Sequence, residues 1–334
     1  MRVPVATMRR TRSCARLRPS VASRLPACLL AAFLLLAGAA CQPGYGGQRV
    51  DFQIPGATAE ASPQPTPHRD GVIRMAVAPV ISPRETFTSH YQDLLAYLGD
   101  QLGMPVELVP GKTYAEINDM VRSGSVTLAL VCTNPYLQGQ QDFGMELLAA
   151  PVVNGSSTYY SYAVVRSGSP FQSFADLRGY TFAFSDPLSN SGRLAPLYAL
   201  ALMGETPESF FSRTIFTYAH DNSIKAVANG LVDGAAVDSL VYEYWARLDS
   251  EFVKRTRVIE KWGPFGINPL VVSPGIDPVL KEHLRSLLLN MDQDPKGRDI
   301  LDSLFIDRFT VPDDGIYDSV RRMREFLASS GYEQ

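Results

Sequence analysis

Cysteine is scarce in this chain: four residues of 334, and Cys14, Cys28 and Cys41 fall within the first 41 positions. Cys132 alone remains for the rest, so a disulfide framework is excluded. Acidic residues are absent from residues 1–40, where seven arginines stand (Arg2, Arg9, Arg10, Arg12, Arg16, Arg18 and Arg24). No apolar run approaches the about 20 residues that a membrane span requires. The chain has no GxSxG, HExxH or Gly-Lys-Ser/Thr motif and no Cys/His cluster of metal-ligand spacing. Esterase-type, metallopeptidase and P-loop chemistry are thereby excluded, and no cofactor or metal is expected. No low-complexity bias marks a fibrous or disordered protein. A net charge of −3 argues against a nucleic-acid partner.

What is present at the start is a targeting pattern. A basic region ends at Arg24, an apolar run follows over 27–37, and Leu36-Ala37-Gly38-Ala39-Ala40 leads to Cys41. Residues 1–40 read as a signal peptide, with Met1 or Met8 as the start. Small residues before a cysteine resemble a bacterial lipobox, so Cys41 is the candidate lipidation site; ordinary secretory cleavage leaving Cys41 behind is the alternative. Losing seven arginines takes the net charge from −3 to −10. An acidic body of that kind must capture any anion through local dipoles rather than its overall field. Residues 41–70, broken by Pro43, Pro55, Pro63, Pro65 and Pro67, read as a flexible tether.

From residue 71 onward, β-prone apolar runs alternate with helical patterns. Val72-Ile73-Arg74-Met75-Ala76-Val77 reads as a strand, residues 90–102 as a helix, 106–109 as a strand, 114–122 as a helix and 126–131 as a buried strand. The pattern resumes with strands near 160–165, 180–184, 215–218, 232–237 and 270–272. Helices are expected near 194–203, 223–228, 278–291, 295–305 and 315–329. The fold class is α/β with mostly parallel sheets. An internal echo at an offset of 106 carries Val121–Val131 onto Val227–Val237, Tyr114 onto His220, Cys132 onto Asp238 and Tyr136 onto Tyr242. Either this is generic helix–Gly–strand grammar, or the chain holds two similar lobes whose equivalent loops face one cleft. The second reading divides it into lobe 1 over 71–160, lobe 2 over 161–262, and a return to lobe 1 with C-terminal helices over 263–334. Hinges then fall near 160–164 and 263–271. Ligands of such sheets sit beyond strand carboxyl ends and at helix N-termini, which selects loops 110–114, 131–136, 185–192, 218–223 and 237–242.

At those loops the residues resemble a known family. Thr113-Tyr114-Ala115-Glu116-Ile117, Asn134-Pro135-Tyr136, Asp186-Pro187-Leu188-Ser189-Asn190-Ser191-Gly192 and His220-Asp221 carry the resemblance. The family is the phosphate/phosphite/phosphonate-binding proteins of ABC importers, with a two-lobed type II periplasmic-binding fold. The resemblance implies that the Ser-x-Ser-Gly loop and the following helix N-terminus hold an oxyanion, that the histidine donates to it, and that tyrosines of both lobes close over it. By position these are Ser189, Asn190, Ser191, His220, Tyr114 and Tyr136. Asn190 stands where the family usually has Thr, and Cys132-Thr133-Asn134-Pro135 where it usually has a Gly-Pro.

Each of these residues also has a purely structural reading. Ser189 and Ser191 suit helix capping, His220 and the two tyrosines suit a core, and Asp238 suits a strand-end cap. As a ligand group, Asp238 would contact a cationic or hydroxyl-bearing substituent, or accept the proton of a protonated oxyanion. Cys132 reads as a small buried hydrophobe. The expected protein is a non-enzymatic, monomeric, lipid-anchored extracytoplasmic binder that delivers a small oxyanion to an ABC transporter permease. The alternatives are a sensing lipoprotein for a receptor or kinase, a binder of a different small ligand, and an enzyme on the same fold.

Overall fold

The computed structural model describes residues 71–81 and 85–332; the expected signal peptide, the tether and Cys41 lie outside them. The first sheet is entered through β1 (Ile73–Val77), α1 (Glu85–Leu102), β2 (Val106–Val109), α2 (Tyr114–Arg122), β3 (Leu128–Leu130), α3 (Thr133–Phe143) and β4 (Glu146–Val152). The second follows as β5 (Thr158–Arg166), β6 (Thr181–Phe184), α4 (Ala195–Leu202), α5 (Pro207–Phe210), β7 (Arg213–Phe216), α6 (His220–Ala228), β8 (Gly234–Asp238), α7 (Ser239–Arg247), α8 (Glu251–Lys254) and β9 (Thr256–Gly266). The chain then returns through β10 (Leu270–Val272), α9 (Pro278–Asn290), α10 (Pro295–Ser303) and β11 (Arg308–Thr310), and closes with α11 (Asp318–Ser329).

Both sheets follow one plan. The first runs β2-β1-β3-β10-β4-β11 and the second β7-β6-β8-β5-β9. In each, three parallel strands are followed by an antiparallel strand that the chain reaches by crossing from the other lobe: β10 against β3, β5 against β8. Parallel strands covered by helices on both faces need continuous apolar runs, and β8, Gly-Ala-Ala-Val-Asp, is buried at every position. The second lobe fills one face of its sheet with rings: Phe182 stacks on Phe211 at 4.5 Å between centroids, and Phe174 meets Trp262 edge-on at 4.9 Å. Among the described residues no helix is long and apolar enough to cross a membrane.

Several elements differ from the sequence expectation. The chain crosses between sheets at residues 153–157 and 267–269, whereas 160–164 is the middle of β5, bonded on both sides to β8 and β9. A strand with two ladders has no freedom to act as a hinge. Segments 131–136 and 237–242 are starts of α3 and α7 rather than loops; Pro135 sits in the first turn of α3, where no helical partner for its nitrogen is needed. Strand β9 has no legible apolar pattern because it is an edge strand, with Arg257, Glu260 and Lys261 along it.

The C-terminal helix does not belong to one lobe. On the first-lobe side, Arg324 donates to Asn134 Oδ1 at 2.6 Å and Arg321 to Gln140 Oε1 at 3.1 Å. On the second-lobe side, Phe326 packs edge-on against Tyr198 at 5.2 Å, and beyond the helix Tyr332 donates to the Glu205 carbonyl at 2.6 Å. Helix α11 is a strap across both.

Candidate functional site

The repeated plan brings equivalent positions together. Tyr114 opens α2 and His220 opens α6, each just after the second outer strand of its sheet; Cys132 caps α3 and Asp238 caps α7, each at the end of a central strand. The 106-residue echo is therefore an echo in space. Local chemistry holds these residues in place. Thr113 Oγ1 accepts from the Glu116 amide at 3.2 Å and starts α2. Asp238 Oδ1 accepts from the Leu240 amide at 2.8 Å and starts α7.

The loop after β6 supplies the second lobe's other groups. Ser189 Oγ accepts from the Gly192 amide at 2.9 Å, residues 190–194 make a wide π-type turn, and α4 continues from it. Wide turns of this kind recur at functional sites. The two serines of this loop differ: Ser189 is the cap, while the Ser191 hydroxyl has no partner among the described residues. Ser189 still retains its own proton to donate. Gly192 permits the loop to lie against β6 and α6, because a Cβ there would overlap the Ser185 hydroxyl and press on His220 Cε1 at 3.0 Å.

Among the buried polar atoms that find no partner within the described residues, three are donors at the loops and helix starts selected above: Tyr114 OH, Ser191 Oγ and His220 Nε2; Thr127 Oγ1, Ser169 Oγ and Trp245 Nε1 are others, outside those loops. Asn190 Oδ1 and Ser185 Oγ are buried and partnerless beside the first three. Tyr114 and His220 are 1% and 0% exposed. Sealing a polar group from water without a partner costs about 1–3 kcal/mol, so a cluster of them marks a place built for a ligand rather than for stability.

The state of His220 is set by its surroundings. The Asp238 amide donates to His220 Nδ1 at 3.0 Å, so the proton of the neutral ring resides on Nε2 and points away from that bond. Burial pushes the imidazole pKa down to about 3, against a smaller upward pull from Asp221. His220 is a neutral donor, and a second proton would have to displace the Asp238 amide. Asp221 faces elsewhere, paired with Lys225 Nζ at 2.6 Å. Burial drives Asp238 the other way, up to about 7, partly opposed by the Leu240 and Val241 amides and Asn268. Burial also holds the Tyr114 hydroxyl protonated, far above its ordinary range. The Cys132 thiol is pushed up to about 12 by burial and is inert. The clustered donors are neutral, and no group of three metal-ligating side chains occurs among the described residues.

Tyr136 does not join this cluster. Its hydroxyl donates to Asp314 Oδ1 at 3.0 Å and accepts from Gln140, and its ring packs on Tyr317 at 5.0 Å. It anchors α3 to the segment leading into the strap. The tyrosine found instead is Tyr159, whose hydroxyl accepts from Asn190 Nδ2 at 2.9 Å. Strand alternation puts Tyr159 on the same face of β5 as Ser161, and Ser161 Oγ donates to the Ser191 carbonyl at 2.6 Å. That shared face was the available signal. Across the lobes, the Tyr114 amide reaches Asp186 Oδ2 at 3.3 Å, Asn134 Nδ2 the Leu188 carbonyl at 2.9 Å, and the His220 amide the Val80 carbonyl at 3.0 Å.

Two equivalent α/β lobes, shut by direct bonds over buried neutral donors, define a solute-binding protein of the periplasmic type. The chain belongs to the family described as the periplasmic substrate-binding proteins of phosphonate ABC transporters, whose model matches residues 75–317. It is an extracytoplasmic transport component and not an enzyme. Similar solved structures include a binding protein component of an ABC phosphonate transporter from Pseudomonas aeruginosa, at 24% identity and TM-score 0.73, covering 78% of this chain and 87% of that one. PhnD1 from Prochlorococcus marinus, in complex with methylphosphonate, matches at 19% identity and TM-score 0.70, covering 77% of this chain and 98% of its own. A Xanthomonas citri protein bound to chloride matches at 23% and 0.62, covering 78% and 97%.

Two outcomes are expected from this geometry. Gly192→Ala should lower unfolding stability by about 1–3 kcal/mol, the range for overpacking, read by urea titration; a neutral result would mean that the loop is not held against Ser185. The pH dependence rests on two opposed groups. His220, lowered from 6.5 to about 3, contributes stability that is present above pH 6.5 and lost as pH falls towards 3. Asp238, raised from 3.8 to about 7, contributes stability that is present below pH 3.8 and lost as pH rises through 7. Asp238→Asn removes the second trend, so its stability should climb from pH 4 to 6.5 more steeply than that of wild type. Equal slopes in a denaturation series would contradict the assignment.

Proposed function

We infer that this chain captures a phosphonate between its lobes and presents it to the permease of its ABC transporter. The observation that carries the reading is the set of partnerless buried donors drawn from both lobes: Tyr114 OH from the first, Ser191 Oγ and His220 Nε2 from the second. A tetrahedral oxyanion offers several lone pairs per oxygen and can accept all three at once. Ser189 adds its hydroxyl proton, and Asn190, tied to Tyr159, shapes the wall. In a monoprotonated phosphonate one oxygen must donate, and Asn190 Oδ1 and the Asp238 carboxyl are the acceptors for it. The methylphosphonate complex of PhnD1 from Prochlorococcus marinus agrees with a head group of this size. Binding closes the lobes about the crossovers at 153–157 and 267–269. The lipid anchor at Cys41 completes the reading, holding the body at the membrane that carries the permease.

Two experiments test this. In calorimetry with methylphosphonate, His220→Ala and Ser191→Ala should each weaken binding roughly tenfold to a hundredfold, since a bond to a charged acceptor contributes about 1.5–3 kcal/mol. Wild-type affinity in His220→Ala would remove the donor cluster from the binding site. For the anchor, the expressed protein should sediment with membranes and Cys41→Ser should be released to the soluble fraction; a soluble wild type with a free thiol would rule lipidation out.

A further inference from the structure

Next to the donor cluster lies a second space with different chemistry. It is a cavity of about 140 Å³ between the lobes. Leu130, Leu270 and Phe309 line it from the first lobe, and Leu240, Val241 and Tyr244 from α7 of the second. It shares walls with the donor cluster. Val80 lines it, packs on the Tyr114 and Cys132 side chains, and accepts the His220 amide. Asp238 lines it, and its amide holds His220 Nδ1. Asn268 lines it and bonds the Asp238 carboxyl.

Part of its lining is made by contacts across the lobes. Phe305, in the left-handed backbone region at φ 56°, meets the Tyr244 ring edge-on at 5.5 Å and lies under the Arg247 guanidinium at 5.5 Å. Arg247 also donates to Asn154 Oδ1 at 2.7 Å. A non-glycine residue held in this backbone region persists where its surroundings demand it. Glu243 at the cavity wall is already engaged by the Tyr162 hydroxyl at 2.7 Å. The polar side chains of the lining, Asn154, Asp238, Glu243, Arg247 and Asn268, are thus already hydrogen-bonded, and the rest of the lining is largely hydrocarbon.

We propose that this cavity is the subsite for the ligand's substituent, and that the substituent is apolar, an alkyl chain of several carbons or an aromatic ring. The inference rests on the phosphonate reading of the donor cluster and adds to it what the phosphorus carries. A cavity of about 150 Å³ takes a molecule the size of benzene, so the volume suits a phenyl or butyl group. An ammonium group there would leave water for hydrocarbon, and the two carboxyls of the lining are already engaged, Glu243 by the Tyr162 hydroxyl and Asp238 by the Leu240 amide and Asn268.

Calorimetry with methyl-, butyl-, phenyl- and 2-aminoethylphosphonate tests it. A buried methylene is worth about fourfold in affinity, so butylphosphonate should bind at least tenfold more tightly than methylphosphonate. Phenylphosphonate should gain similarly, and 2-aminoethylphosphonate should not. Leu240→Trp, which fills the cavity, should abolish the gain and leave methylphosphonate affinity within about threefold. Methylphosphonate binding as tightly as the longer ligands, or 2-aminoethylphosphonate binding tightest, would overturn the proposal while leaving the head-group reading intact. Failure of every phosphonate to bind would overturn the head-group reading, and the substituent subsite with it.

Discussion

The constraint on which the rest depends is the sealing of hydrogen-bond donors without acceptors. Tyr114, Ser191 and His220 are at most 1% exposed, and each holds a polar atom that the described residues leave unpaired. The closed arrangement therefore carries a desolvation cost on the order of several kcal/mol. An oxyanion that accepts these bonds removes that cost, and so favours the closed lobes over the open ones. Coupling between binding and closure then needs no separate device, because a ligand shifts a conformational equilibrium by its differential affinity for the two states.

The neutrality of the donors follows from the same burial. Charged groups inside would cost far more than neutral ones, and the protein avoids them at each step. His220 is stripped of its second proton by burial and by the Asp238 amide at Nδ1. Asp238 is driven towards its protonated form. Residues 41–334 carry a net charge of −10, so long-range repulsion opposes anion capture. Short bonds from oriented dipoles are what remain, and they are little affected by bulk salt once buried. The apolar cavity behind Asp238 extends this economy, since a hydrocarbon substituent needs no partner at all.

Much of this was legible in the chain itself. Alternation of strand and helix patterns specified an α/β fold, because buried parallel strands and amphipathic helices need opposite periodicities. The 106-residue echo identified equivalent helix starts, so Tyr114, His220, Cys132 and Asp238 could be named as facing positions. Local cap chemistry marked the loop from Ser189 to Gly192. Each of these signals acts between residues a few positions apart, and backbone geometry at that range depends on the residues themselves.

Contacts between distant segments decided the remainder. Tyr136 and Tyr159 are equally good candidates as residues, but Asp314, 178 positions away, takes the hydroxyl of Tyr136. Ser189 and Ser191 differ only in which one the turn uses as a cap. The tautomer of His220 depends on an amide 18 positions on, and the apolar cavity depends on α7 meeting β3 and β10 from another lobe. Strap helix α11 reads as an ordinary amphipathic helix until both lobes are in place. Periodicity and capping are local and additive, so the sequence alone determined the elements and the positions facing the cleft. Partner choice for a buried polar group is a competition among all groups that the fold brings near, and that competition exists only once the tertiary structure has formed.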